Sequence, residues 1–289
     1  MTATERAWDI DGLRLTGLEW GPEDGVPVLA LHGWMDHAGS FQVLAPRLTG
    51  CRVVALDLSG QGLSDHRAAH ATYNIWDDLP QIAALLDRLA WEECVLLGHS
   101  RGANIAALFA AAQPARVRAL VSLDSLVPEP VEDGVVSTLT AFVEGTRKQL
   151  ARAPRIFPTR EDYIARRVAQ GNSRHVSELL ADRALEPVPG GVRMRGDARL
   201  FASSVVKLSR RDIEDVLSAI QCPVLNIWAS DGIRARHAVV EDLVQRAGRV
   251  IADYTCMTIA GDHHFHLDAT AAADIADAVQ EFVVQDFTV

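Results

Sequence analysis

Apolar positions along the chain follow two alternating patterns. Short runs of β-branched and aliphatic residues, bounded by Gly, Pro or Asp, predict buried strands at residues 28–31, 52–56, 94–97, 117–123, 224–228 and 255–259. Longer segments between them carry helical spacing. The clearest, residues 75–89, has apolar side chains at 75, 79, 82, 83, 85, 86 and 89, one face of an amphipathic helix. Residues 101–112 are Ala-rich, helical and ended by Pro114, and further helices are predicted at 40–48 with Ser40 as N-cap, at 238–247 and at 269–284. Residues 8–10 and 13–20, joined by Asp11-Gly12, read as an opening hairpin. Strands alternating with helices in this way predict an α/β fold around a mostly parallel sheet.

After residue 123 the rhythm breaks. From 127 to 220 there is no strong strand run, only helical stretches at 137–152, 160–170 and 176–183 separated by Pro and Gly stops. The expected organisation is a core built from residues 1–126 and 221–289, with 127–220 as an inserted helical cap. Charge follows the same division. The whole chain has 28 Lys plus Arg against 38 Asp plus Glu, a net of −10, yet the insertion has 15 basic and 13 acidic residues, a net of +2.

The acidic balance argues against a nucleic-acid partner, whose footprint is a basic surface. No apolar run approaches the ~20 residues that a membrane-spanning helix needs. The start, MTATERAWDID, has neither a basic nor an apolar leader segment, so the expected location is the cytoplasm. Cys51, Cys94, Cys222 and Cys256 lie far apart beside apolar runs with no CxxC pair, and are expected to be buried free thiols.

The strand at 94–97 runs into Gly98-His99-Ser100-Arg101-Gly102 and then into a helix. That is G-x-S-x-G in a strand–turn–helix setting, where a serine on a strained turn needs neighbours without side chains two before and two after. The helix start then aims its N–H groups and positive dipole end at the place where an oxyanion forms. Ser100 is therefore the candidate nucleophile. A nucleophilic serine needs a base, and the base needs an orienting acid, in the chain order Ser, acid, His. After the last strand comes Gly261-Asp262-His263-His264-Phe265-His266. His263 is the expected base and His264 the alternative, with His266 read as a packing or hydrogen-bonding residue. The strand at 224–228 ends in Ala229-Ser230-Asp231-Gly232, which makes Asp231 the expected acid; Asp124, at the end of the strand after the serine helix, is the alternative.

Oxyanion stabilisation calls for two backbone donors. Arg101, following the serine, offers one N–H, and Trp34 in His32-Gly33-Trp34-Met35-Asp36 offers the second, since Gly33 lets backbone approach the substrate. Trp34, Met35 and His99 are candidates for the pocket wall. The Asp57-Leu58-Ser59-Gly60-Gln61-Gly62-Leu63-Ser64-Asp65 segment lacks a P-loop lysine and a complete G-x-G-x-x-G, and reads as a tight loop at the site's rim. No third ligand accompanies His263 and His266, so no metal site is expected. The Arg101 side chain is expected to pair with an acid of the insertion or of the 57–65 loop.

Five motifs in order, HGW, DLSGQGLSD, GHSRG, WASDG and GDHHFH, resemble the α/β-hydrolase superfamily across nearly the whole chain. HGWMDHAGSF, RAPRIFPTREDYIARR, ALEPVPGGVRMRGDARL and CPVLNIWASDG are similar to its serine hydrolase-like branch. The resemblance implies an eight-stranded, mostly parallel sheet with an inserted helical cap, a Ser–Asp–His triad and no cofactor. The expected activity is a serine hydrolase acting on small-molecule carboxylic esters through an acyl-enzyme. Two alternatives stay open: a C–C bond hydrolase or cofactor-free oxygenase or lyase on the same fold, and a non-catalytic hydrolase-like ligand receptor.

Overall fold

In the computed structural model, which describes residues 2–131 and 134–287, one large sheet carries the molecule. In chain order the elements before the insertion are β1 (Thr4–Ile10), β2 (Leu13–Trp20), β3 (Val26–Leu31), β4 (Cys51–Leu56), α1 (Asp78–Arg88), β5 (Cys94–His99), α2 (Arg101–Ala112) and β6 (Val117–Leu123). The insertion contains α3 (Val135–Leu150), β7 (Ile156–Phe157), α4 (Arg160–Ala169), α5 (Arg174–Ala184), β8 (Leu185–Val188), β9 (Gly191–Met194) and α6 (Arg210–Ala219). The chain then returns through β10 (Val224–Ala229), α7 (Ile233–Arg236), α8 (Ala238–Val250), β11 (Tyr254–Ile259) and α9 (Ala269–Phe287).

Eight strands form the main sheet in the order β1-β2-β4-β3-β5-β6-β10-β11. The opening hairpin is antiparallel, and every pair from β4 to β11 is parallel. Because β3 lies between β4 and β5, the chain leaves β3 toward one edge and comes back on its other side. At such a reversal the loops leaving the carboxyl ends of β3 and β5 diverge and open a crevice.

The period-2 alternation of the strands divides the core between two faces. On one face Leu29 and Leu31 of β3 join Leu96 of β5, Ile105 and Phe109 of α2, and Leu217 of α6. On the other, Val28 and Ala30 join Val95, Phe41 and Ile275 of α9. Each fully buried leucine contributes on the order of 2 kcal/mol.

Three local expectations change. The 40–48 segment is two 3-10 turns, Ala38–Phe41 and Ala45–Arg47, because Pro46 would fall inside a longer helix. Ser40 is consequently no cap, and its Oγ meets His266 Nε2 at 2.8 Å. The insertion is not purely helical, since β7, β9 and β8 form a small antiparallel sheet. Pro187 reads as a stop in sequence, yet it lies on β8, an edge strand where a missing N–H is tolerated, and Gly190 and Gly191 make the turn with φ of 90° and 143°. Finally, Cys51, Cys94 and Cys222 are buried free thiols, but Cys256 is exposed, because β11 is the sheet's last strand. By packing, α6 belongs to the layer on the sheet: Ile213 and Leu217 sit in the first core. Among the described residues no helix is long and apolar enough to cross a membrane.

The insertion is fastened to the sheet by charge. Asp57, fully buried after β4, accepts from Thr16 Oγ1 at 2.8 Å and from the N–H groups of Ala38 and Leu63 at 2.7 and 3.0 Å. Arg183 of α5 reaches the same carboxylate at 2.6 Å and extends to Glu5 of β1. Burial pushes the Asp57 pKa up, but the Arg183 guanidinium overcomes it and holds the group below its ordinary value.

Arg183→Met leaves that buried carboxylate without its cation and is expected to cost about 3 kcal/mol or more in urea unfolding, whereas Glu5→Gln, at the exposed end, costs less than ~1 kcal/mol. The Asp57 contribution is complete above the unfolded pKa of about 3.9 and is lost as pH falls through the lower folded value. Acid unfolding of Arg183→Met should accordingly begin at higher pH; equal stability and an unchanged acid transition would refute this account of the clamp.

Candidate active site

Ser100 sits between β5 and α2 with φ 53° and ψ −120°, a conformation that costs an L-residue roughly 1–3 kcal/mol. Two close approaches leave it no alternative. A Cβ on Gly102 would overlap the Leu31 carbonyl, and one on Gly98 would overlap the backbone of Ala103. The Ser100 N–H donates to the Leu123 carbonyl at 3.0 Å, and its own carbonyl accepts from Ala103 N at 3.0 Å. Backbone bonds thus hold the turn while the half-buried side chain stands at the start of α2, whose first N–H groups have no intrahelical acceptors.

His263 follows β11, and its Nδ1 lies 2.7 Å from Asp124 Oδ2. A carboxylate accepts there, so Nδ1 carries a proton and Nε2 is the ring nitrogen not engaged by Asp124. Asp124 has no exposure and a positive φ of 48°. It also accepts from Ala229 N at 3.2 Å and Ile233 N at 2.9 Å. The turn after β10 is therefore a cradle for Asp124. This corrects the expectation for Asp231, which is exposed, accepts from Ser230 Oγ at 2.8 Å and is not brought to His263. The reason is steric: the turn folds its backbone around a carboxylate arriving from β6, and a Cβ on Gly232 would overlap that carboxylate.

The other histidines take separate partners. His264 Nε2 is 3.1 Å from Asp36 Oδ2, and Asp36 Oδ1 is 3.7 Å from Arg167 of α4. Burial would raise the Asp36 pKa, but His264 and Arg167 hold it well below the usual carboxylate range. His99 has no exposure and its Nε2 donates to the His263 carbonyl at 2.7 Å. Burial, with the neighbouring His266, His263 and His264 rings adding to it, depresses the His99 pKa far below 6.5, so the ring is neutral. His99 is a support beneath the His263 loop, not the pocket wall expected from sequence.

The loop after β3 meets the serine directly. A Cβ on Gly33 would lie 3.3 Å from Ser100 Cβ, so the next peptide, that of Trp34, borders the serine. The Trp34 ring is half exposed, donates from Nε1 to the Leu200 carbonyl at 3.1 Å and meets Phe201 edge-on at 4.9 Å. Met35 N–H donates to Gln61 Oε1 of the 57–65 loop at 2.7 Å. Arg101 does form an ion pair, but with Asp78 of α1 at 3.3 Å rather than with the insertion or the loop. Burial raises the Asp78 pKa against the pull of Arg101 and Arg67.

Two cavities open on Ser100. One of about 460 Å³ is bordered by Arg101 and by apolar side chains that include Leu126, Trp228 and Leu243. The other, of about 750 Å³, holds Trp34, Met35, His263 and His264 and extends under the insertion. Both fall within the size of small-molecule sites.

A family model described as the alpha/beta hydrolase fold matches residues 26–270. The chain belongs to that family. Within it, this hydrolase falls in the serine hydrolase-like branch, being 29% identical over 280 residues to a serine hydrolase-like protein of Danio rerio, with 93% of this chain and 85% of that one covered. Among solved structures, a hypothetical protein from Pseudomonas aeruginosa PAO1 is 34% identical with a TM-score of 0.91, covering 97% of this chain and 99% of that one. The thioesterase domain from the curacin biosynthetic pathway is 26% identical with a TM-score of 0.81, covering 96% and 99%.

Local pattern does not distinguish Asp124 from Asp231. The available signal was the Asp-Ser pair following a strand of buried residues, where a turn-forming acid and a site acid look the same, together with the glycine after Asp231. Nitrogen NMR of the His263 ring is expected to show a protonated Nδ1; Asp124→Asn shifts the tautomer balance toward Nε2–H, while Asp231→Asn leaves it where it was.

Proposed function

We propose that this hydrolase cleaves carboxylic esters through an acyl-enzyme on Ser100. The single observation that carries the reading is the buried Asp124 carboxylate on His263 Nδ1, on the rim of a cavity that also contains Ser100. Similarity to serine hydrolase-like proteins and to a thioesterase domain supports the same reaction class.

His263 Nε2 takes the Ser100 hydroxyl proton as Oγ attacks the ester carbonyl carbon. The negative oxygen that results is held by the N–H groups of Arg101 and Trp34, the first reinforced by the dipole of α2. Asp124 stabilises the imidazolium without taking its proton. The carbon–oxygen bond to the alcohol then breaks, and the departing oxygen receives the proton from Nε2. Water, deprotonated by the same nitrogen, attacks the acyl carbon; the bond to Oγ breaks, Ser100 recovers a proton and the carboxylic acid leaves. The part of the insertion ahead of α6 acts as the lid that shapes the leaving groups' surroundings, α6 itself packing on the sheet.

Ser100→Ala is expected to abolish hydrolysis of p-nitrophenyl butyrate and covalent labelling by a fluorophosphonate probe. Asp124→Asn should lower kcat by about 10⁴, and Asp231→Asn by no more than a few-fold. Undiminished turnover in Ser100→Ala sinks the proposal.

A further inference from the structure

The two cavities that meet at Ser100 differ in chemistry. The smaller is walled mainly by aliphatic and aromatic side chains, among them Leu126, Val127, Leu208, Trp228 and Leu243, with Arg101, Lys207 and Glu129 as its charged groups. The larger is lined by six arginines against three carboxylates, those of Asp36, Glu186 and Asp197. Each of the three is already engaged. Asp36 faces His264 and Arg167; Glu186 bonds Arg193 at 2.5 Å and Arg195 at 3.5 Å; Asp197 bonds Arg199 at 2.7 Å and accepts from Tyr73 at 3.0 Å.

Arg152, Arg155 and Arg166 line the same cavity, are exposed, and have no carboxylate within ion-pair distance among the described residues. Arg155 is placed over the Phe157 ring at 4.8 Å, so its guanidinium has a defined position. Elsewhere on the insertion Arg160 pairs with Asp182 and Arg174 with Glu161 and Glu178, while Arg147 and Arg211, exposed and without an ion pair among the described residues, do not line the cavity. A solvated helix face accounts for those. It does not account for three uncompensated cations converging on one cavity of a chain with a net charge of −10. A concave surface on which one sign of charge is in excess raises the local concentration of an oppositely charged ligand.

The position of the base says which part of the substrate each cavity takes. His263 lines the larger cavity and does not border the smaller. A general acid must reach the departing atom, so the leaving alcohol lies on the His263 side and the acyl chain on the other. We infer that the substrate is an ester of an apolar acyl chain with an alcohol that bears an anionic group, carboxylate or phosphate, received by Arg152, Arg155 and Arg166. This rests on the serine-hydrolase reading above and narrows it to a substrate class. Bond making and breaking are those already given, with the anionic alcohol as the group that takes the proton from His263.

The test uses hexanoyl esters of three phenols: 4-hydroxyphenylacetic acid, its neutral methyl ester, and 4-hydroxybenzylphosphonic acid. Wild-type kcat/KM is expected to favour an anionic ester over the neutral one by about tenfold or more. The ratio should shrink as NaCl rises from about 0.05 to 0.5 M, as screening shortens the reach of charge. Whichever anionic ester is preferred identifies the anion. In the Arg152→Gln, Arg155→Gln, Arg166→Gln triple variant the ratio falls to about one, and the corresponding triple Lys variant restores most of it, with folding checked by thermal melting.

A wild-type ratio near one, or an unchanged ratio in the Gln variant, overturns the inference. So does a preference for charge on the acyl side, read by comparing the phenyl half-ester of adipic acid with phenyl hexanoate. Ser100→Ala separates the two levels: if it is inactive on all esters while the ratio is one, the hydrolase reading stands and only the anionic class fails; if it still turns over, the underlying reading fails.

Discussion

The close contact between Gly102 and the Leu31 carbonyl is the constraint on which the site depends. It presses the first turn of α2 against the end of β3, and the chain between β5 and α2 can then turn only through the left-handed backbone of Ser100. One contact thereby sets two things at once. It raises the serine out of the sheet, and it brings the loop after β3, with the Trp34 peptide, beside it. Strain at one residue is tolerable because the surrounding strands are parallel, central and buried on both faces, so the cost is spread over a rigid frame.

A second layer of order comes from buried charge. Asp57 and Asp36 each bind a main-sheet loop to an arginine of the insertion, Arg183 and Arg167. In both, burial alone would favour the neutral acid, and the guanidinium reverses that preference. Hydrophobic contacts are non-directional, whereas these pairs specify which helix faces which loop. The same arginine-rich surface that docks the insertion continues into the larger cavity, where six arginines face three already paired carboxylates. The chain's overall acidity thus describes its scaffold and says little about the space around the serine.

Much of the fold was legible because strand and helix periods differ and the strands are short, apolar and punctuated. The serine turn was legible because its geometry demands glycine at fixed offsets. The carboxylate that meets His263 was not, because Asp124 and Asp231 both follow strands and both precede small turn residues; only the three-dimensional closeness of β6 and β10 shows that one turn wraps the other's carboxylate. His99 looked like a site residue because it adjoins the serine, yet alternation along β5 turns it inward. The β8–β9 hairpin was masked by Pro187, whose permissiveness depends on β8 being an edge, and the exposure of Cys256 depends likewise on β11 being the last strand. These are facts about neighbours in space, which local pattern does not carry.

The wrapping of Asp124 also bears on the order in which the molecule can come together. Its carboxylate is buried, yet the donors that satisfy it belong to residues 229, 233 and 263, more than a hundred positions further along the chain. Until the last quarter has joined the sheet, β6 ends in a charge with no partner, and the cavity at Ser100 lacks His263. The interior charge therefore ties the end of β6 to the close of the chain: without the turn after β10 and the loop after β11, the Asp124 carboxylate lacks the three donors that satisfy it.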